Sequence, residues 1–137
     1  MKRILLLWSL FLGITGYGQE NKINIQTIMK KAKAADAIAQ YDLASCYEVG
    51  EGVEKSTKEA IYWYKKSAEK GYSYAQWQLA LFYKYGYYKK NISQSNKKAF
   101  YWLNKAATQN NTTAQRQLAD FYYEGDGITQ SYEKAFY

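Results

Sequence analysis

Residues 39–52 read AQYDLASCYEVGEG, and four of them set a frame that returns twice. Ala39, Leu43, Tyr47 and Gly50 recur as Ala75, Leu79, Tyr83 and Gly86, then as Ala114, Leu118, Tyr122 and Gly125. The shift is 36 residues and then 39, a period that marks stacked supersecondary units. Gly52-Val53 and Gly127-Ile128 correspond to Asn91-Ile92, so the extra three residues lie near Tyr87-Tyr88-Lys89. Asparagine at a second glycine's place suits a left-handed backbone. The register is restored at Ser56, Ser95 and Ser131, and at Ala60, Ala99 and Ala135.

Each copy reads as two helices. The matched residues of the first form one stripe on a 3.6-residue period, and a glycine ends it. The second opens at Ser56, a good N-cap, with Glu59 placed to complete a capping box. Its stripe is Ala60, Trp63, Tyr64, Ser67 and Ala68, matched by Ala99, Trp102, Leu103, Ala106 and Ala107. Trp63 and Trp102 are expected to be buried between consecutive pairs. The pattern predicts helices near 24–34, 37–49, 57–70, 73–85, 96–109 and 112–124, a seventh from about Ser131, and no strands. Ile25, Ile28 and Ala32 stand 36 residues before Ile61, Tyr64 and Ala68, so residues 24–35 read as a lone second helix capping the stack. Residues 133–137 enter another second helix and stop where a tryptophan is due. The chain is therefore expected to be part of a longer protein.

Composition narrows the chemistry. The 137 residues include 16 tyrosines, no proline and no histidine, and the single cysteine is Cys46. Without histidine the commonest general base and zinc ligand are missing, and one cysteine builds neither an internal disulfide nor a cysteine-rich metal site. No cofactor or metal is expected. Cys46 takes the place of Phe82 and Phe121 and reads as a small core residue. Asn91-Ile92-Ser93 and Asn111-Thr112-Thr113 fit the glycosylation sequon, which chance supplies often.

Residues 1–18 read as a bacterial signal peptide. Lys2 and Arg3 precede an apolar run from Ile4 to Ile14, and small residues follow at Gly16 and Gly18. The run is too short to span a bilayer. Cleavage is expected between Gly18 and Gln19, with export to the periplasm or medium and no membrane span thereafter. Without Lys2 and Arg3 the net charge is +5. Lys84, Lys89, Lys90, Lys97, Lys98 and Lys105 crowd residues 73–111, which hold no acid, and an acidic partner is expected there. Export argues against nucleic acid.

The run from Ala37 to Ala44, with Tyr47, Gly50-Glu51-Gly52-Val53, Ala60, Trp63-Tyr64, Lys66-Ser67-Ala68 and Gly71, resembles the Sel-one-like repeat, a cousin of the tetratricopeptide repeat. The resemblance covers residues 24–137. It departs at Ala44, Ala80 and Ala119, where glycine is usual, and at the capping serines, where aspartate is usual. It implies an all-α fold, a right-handed α-α superhelix (solenoid) of antiparallel helix pairs. The divisions would be a half-repeat at 19–35 and repeats at 36–72, 73–111 and 112–137, the last truncated.

The resemblance also implies that first helices line the concave side, where a protein or peptide partner would lie. The positions there not used for packing are Asp42, Ser45 and Glu48 in the first copy, flanked by Ile38 and Val49. In the second they are Tyr74, Gln78, Leu81, Lys84 and Tyr85. In the third they are Gln117, Asp120, Tyr123 and Glu124, beside Thr113. These differ between copies where the packing positions agree. The competing classes are an anionic envelope polymer as ligand, and an enzyme of the β-lactamase or penicillin-binding type. The branch of the family credited with that activity carries a cysteine pair in each repeat, which this chain lacks. No S-x-x-K nucleophile is expected, and the chain reads as non-enzymatic.

Overall fold

The computed structural model describes residues 25–86, 95–125 and Lys134. Among them six helices follow one another and no strand occurs. Helix α1 covers residues 25–33. It is followed by α2 (Ala37–Val49), α3 (Thr57–Glu69), α4 (Ser73–Tyr85), α5 (Asn96–Ala107) and α6 (Thr112–Glu124). Lys134 is helical. The rest of the expected seventh helix, the leader and the insertion near 87–89 lie outside the described residues.

Each helix starts and stops for a local reason. Asp36 and Asn111 cap α2 and α6, their side chains accepting from the Ala39 and Ala114 N–H groups at 2.9 and 3.0 Å. Ser56 and Ser95 cap α3 and α5, accepting from Glu59 and Lys98 N–H at 3.3 Å. The expected capping box is only half formed. The Ser56 N–H donates to the Tyr47 carbonyl at 2.9 Å and Ser95 N–H to Tyr83 at 2.8 Å, so the serine backbone ties the pair together. Ala35, Gly71 and Asn110 hold equivalent turn positions, all left-handed with φ of 66°, 95° and 62°.

The pairs are α2 with α3 and α4 with α5, and each second helix also packs on the next first helix. Leu43, Leu79, Leu103, Phe82, Phe121 and Tyr64 are fully buried along this stack. The tryptophan expectation is corrected. Trp63 and Trp102 are only half-buried, because they sit on the flank of a stripe whose centre is Tyr64 and Leu103. Trp63 packs against both clusters of the core, so it bridges rather than fills. Cys46 is likewise half-buried against the smaller cluster.

One polar device is repeated at every junction. The side-chain amides of Gln40, Gln76 and Gln115 donate to the Ala32, Ala68 and Ala107 carbonyls, each at 3.1 Å. Each bond adds a second donor to a last-turn carbonyl that already accepts the N–H of Ala35, Gly71 or Asn110, and so ties one helix end to the next helix. The α1–α2 junction thus has the geometry of the two that follow it.

Gly52 illustrates how tightly the loops are specified. Its φ is +69°, and a Cβ there would lie 3.2 Å from the Ile25 Cβ. Gly52→Ala should therefore cost about 1–2 kcal/mol from the left-handed backbone, before any contact with α1 is counted. Urea denaturation reads this, and an unchanged midpoint would contradict the geometry.

Candidate functional site

The first helices α2, α4 and α6 form one side of the stack. From α4 to α6 they are joined by side chains: the Trp77 indole N–H donates to Gln117 Oε1 at 3.0 Å. Lys84 Nζ stands 3.8 Å from Glu124 Oε2 and 4.5 Å from the Phe121 ring centroid. From α2 towards α4 the link is aromatic, through Tyr41–Tyr72 at 5.3 Å and Tyr72–Tyr74 at 5.6 Å.

The sequence-predicted positions divide by these contacts. Glu48 is half-buried and accepts the Tyr64 hydroxyl at 2.7 Å, so it belongs to the packing of its own repeat. Leu103 replaces Tyr64 in the second copy, and Lys84, at the place of Glu48, turns to Glu124. Gln117, Lys84 and Glu124 therefore hold neighbouring helices together. Asp42, Tyr74, Tyr85, Asp120 and Tyr123 are exposed, while Ser45, Gln78 and Leu81 are half-buried between them. Ile38 and Val49 add apolar surface at 56% and 64% exposure.

A groove of about 650 Å³ opens between α1 and α2, lined by Thr27, Ile28, Lys31, Ile38, Asp42 and Cys46 among others. In the complete repeats the equivalent wall, including Tyr64, Ser67, Tyr72 and Phe82, holds the preceding first helix. Tyr41 meets Tyr64 at 5.4 Å, and the Ser67 hydroxyl donates to the Ala37 carbonyl at 2.6 Å. The α1 side of this groove was missed from sequence. The signal was present, since Ile28 and Lys31 are in register with Tyr64 and Ser67, which hold a first helix in the next repeat.

Burial, and then the neighbouring Asp36 charge, raise the Asp42 carboxyl above its usual range. Burial likewise pushes the Cys46 thiol up, helped by Glu51 and Asp42, which keeps it protonated and a poor nucleophile. Burial raises the Tyr41, Tyr64 and Tyr72 hydroxyls above the ordinary value of 10.0, with the Glu48 hydrogen bond adding to the rise at Tyr64. The folded chain thus holds these protons more tightly than the unfolded chain. Their contribution is complete below about pH 10 and is lost as pH rises beyond it. Thermal melts should show stability falling above that pH, and Tyr64→Phe should reduce the fall. An identical alkaline slope in the variant would contradict this.

The serine–lysine expectation needs correction on the sequence itself. Ser67, Ser95 and Ser131 each precede a lysine by three residues, namely Lys70, Lys98 and Lys134. Ser67 is fully buried, with its hydroxyl on the Ala37 carbonyl, and Ser95 is spent capping α5. Ser131 lies outside the described residues. Asn111 of the second sequon is 7% exposed and caps α6, so it offers no open acceptor. Asn91 lies outside the described residues. The described lysines of the second copy are divided between helices, Lys84 on α4 and Lys97, Lys98 and Lys105 on α5, while Lys89 and Lys90 lie outside the described residues.

Fold and surface together define a class, the helical-repeat solenoid built from antiparallel pairs. The Sel1 repeat profile matches residues 37–72, 73–111 and 112–137, and the chain belongs to that family. Its fold is an all-α right-handed superhelix. It is similar to a Sel1 repeat protein from Oxalobacter formigenes, with a TM-score of 0.77 and 27% identity over 84% of this chain. It is also similar to a protective antigen of uropathogenic Escherichia coli displaying an SLR fold, with a TM-score of 0.75 and 30% identity over 81% of this chain. A sel1-like repeat-containing protein of Acanthamoeba polyphaga mimivirus is 38% identical over 56 residues, 41% of this chain. The chain spans 46% and 23% of the two solved chains and 10% of the viral protein. Sel1 repeats generally act as scaffolds for protein–protein contact and are typically non-catalytic.

Proposed function

We propose that this chain is an exported scaffold that holds a protein or peptide along its first-helix side. The supporting observation is the contrast between positions on that side. Ala39, Ala75 and Ala114 are buried and identical, while the exposed Asp42, Tyr74, Tyr85, Asp120 and Tyr123 follow no common pattern. A shared scaffold with residues free to suit one target has this form. The groove between α1 and α2 extends the same side with mixed walls, Ile28, Ile38 and Tyr41 beside the carboxylates of Asp36, Asp42 and Glu51.

Export rests on Lys2, Arg3, the apolar run and the small residues at Gly16 and Gly18. Amino-terminal sequencing of protein recovered from a producing bacterium should begin at Gln19; an intact Met1 on all molecules would refute export by this route. For binding, affinity capture from the same cells should lose its partner when Tyr74, Tyr85 and Tyr123 are changed together to alanine. Retention of the partner at full yield would refute the assignment of this side. Turnover of nitrocefin by the purified protein would replace the scaffold reading with an enzymatic one.

A further inference from the structure

Charge is divided by helix type and not by repeat. The second helices α1, α3 and α5 carry Lys30, Lys31, Lys33, Lys58, Lys65, Lys66, Lys97, Lys98 and Lys105 against Glu59 and Glu69 alone. The first helices carry Lys84 and Arg116 against Asp42, Glu48, Asp120 and Glu124. Among the described residues, none of the nine second-helix lysines is ion-paired. The cationic side is thus opposite the side proposed above to hold a protein.

The lysines are ordered. On α3, Lys58, Tyr62 and Lys66 stand at i, i+4 and i+8, one exposed stripe, and Lys97, Tyr101 and Lys105 repeat it on α5. Neighbouring positions have diverged, with Glu59 opposite Lys98, Lys65 opposite Asn104 and Glu69 opposite Thr108. Packing does not demand the repeated triplet, since Tyr62 and Tyr101 are 49% and 52% exposed. Lys30 of α1 is in register with Lys66 and Lys105. Successive second helices pack on the first helix between them, so the stripes recur along the stack.

Ring and charge are coupled on both stripes. Each tyrosine meets its neighbouring tryptophan edge to face, Tyr62–Trp63 and Tyr101–Trp102, both at 5.1 Å. The lysine four residues on covers the ring, with Lys66 Nζ 5.6 Å and Lys105 Nζ 4.8 Å from the centroid. Cation and exposed phenol are thus presented together on each stripe. An exposed tyrosine among ammonium groups suits the headgroup level of a bilayer. Lysine, a point charge without arginine's fork, suits a diffuse anionic surface more than a fixed phosphate pocket.

We propose that the second-helix side lies against an anionic phospholipid surface, leaving the first helices facing away. The full chain would be mixed with vesicles of phosphatidylcholine alone or with phosphatidylglycerol, and lysine acetylation mapped by mass spectrometry. Reading individual lysines separates this face from any anchoring by the apolar leader. Lys58, Lys66, Lys97 and Lys105 should be protected several-fold by the anionic vesicles only, with Lys84 unchanged, and high salt should remove the protection. Changing those four lysines to glutamine should weaken anionic-vesicle binding relative to neutral vesicles by at least tenfold, since each lysine near such a surface is worth about fivefold. Equal protection of Lys84, protection by neutral vesicles, or no protection at low salt would overturn the proposal. So would equal protection by a soluble acidic polysaccharide, which would make a polymer the partner.

Discussion

Phe82→Ala should lower the stability of the stack by about 3–5 kcal/mol, the range for truncating a buried phenylalanine. Phe82 is 1% exposed on α4, and its ring meets Tyr64 of the preceding repeat edge to face at 5.5 Å. It therefore closes the seam between repeats, and in a stack each unit is stable only through its neighbours. Domains of ordinary size have about 5–15 kcal/mol in hand, so the loss would bring the chain near its unfolding limit. Trp63→Ala provides the contrast. That residue is half-buried and should cost distinctly less, although a reading of the sequence stripes alone ranks it first. Denaturant midpoints for the two variants decide, and a larger loss at Trp63 would overturn the packing order described here.

Gln76→Ala should cost about 1–3 kcal/mol, the net worth of two hydrogen bonds at about 0.5–1.5 kcal/mol each. Gln76 is 3% exposed, donates to the Ala68 carbonyl at 3.1 Å and accepts from the Gln109 amide at 2.8 Å. Both bonds are lost in the variant, while the Ala68 carbonyl keeps the Gly71 N–H at 3.0 Å. Gln115→Ala should cost less, because Gln115 is exposed and water can replace its amide. Equal losses at the two positions would mean that the glutamine bonds are incidental to the junction.

The fold was legible because its signals are local and repeated. Leu43, Leu79 and the serine caps recur with the repeat, and helix boundaries inferred from them agree with the structure to within two residues where both are described. Burial within a stripe was less legible, since tryptophan's size suggests a central place that Tyr64 and Leu103 take. The site was harder still. Glu48 and Lys84 occupy equivalent surface positions, yet Tyr64 claims one and Glu124 the other. Such partners lie in different helices, and no spacing rule links them. The division of charge between helix types was present in the sequence, but residues read copy by copy concealed it until α4 and α5 fell on opposite sides.

Site-specific photo-crosslinking in producing cells tests most directly whether the first helices are the side that holds a protein. A photoreactive residue would be placed at Tyr74 or Tyr85 on α4, and in parallel at Tyr62 or Tyr101 on the second helices, all of them about half exposed. The same discrete protein adduct should form from both α4 positions and from neither second-helix position. An adduct arising only from Tyr62 and Tyr101, or none from Tyr74 and Tyr85, would contradict the assignment.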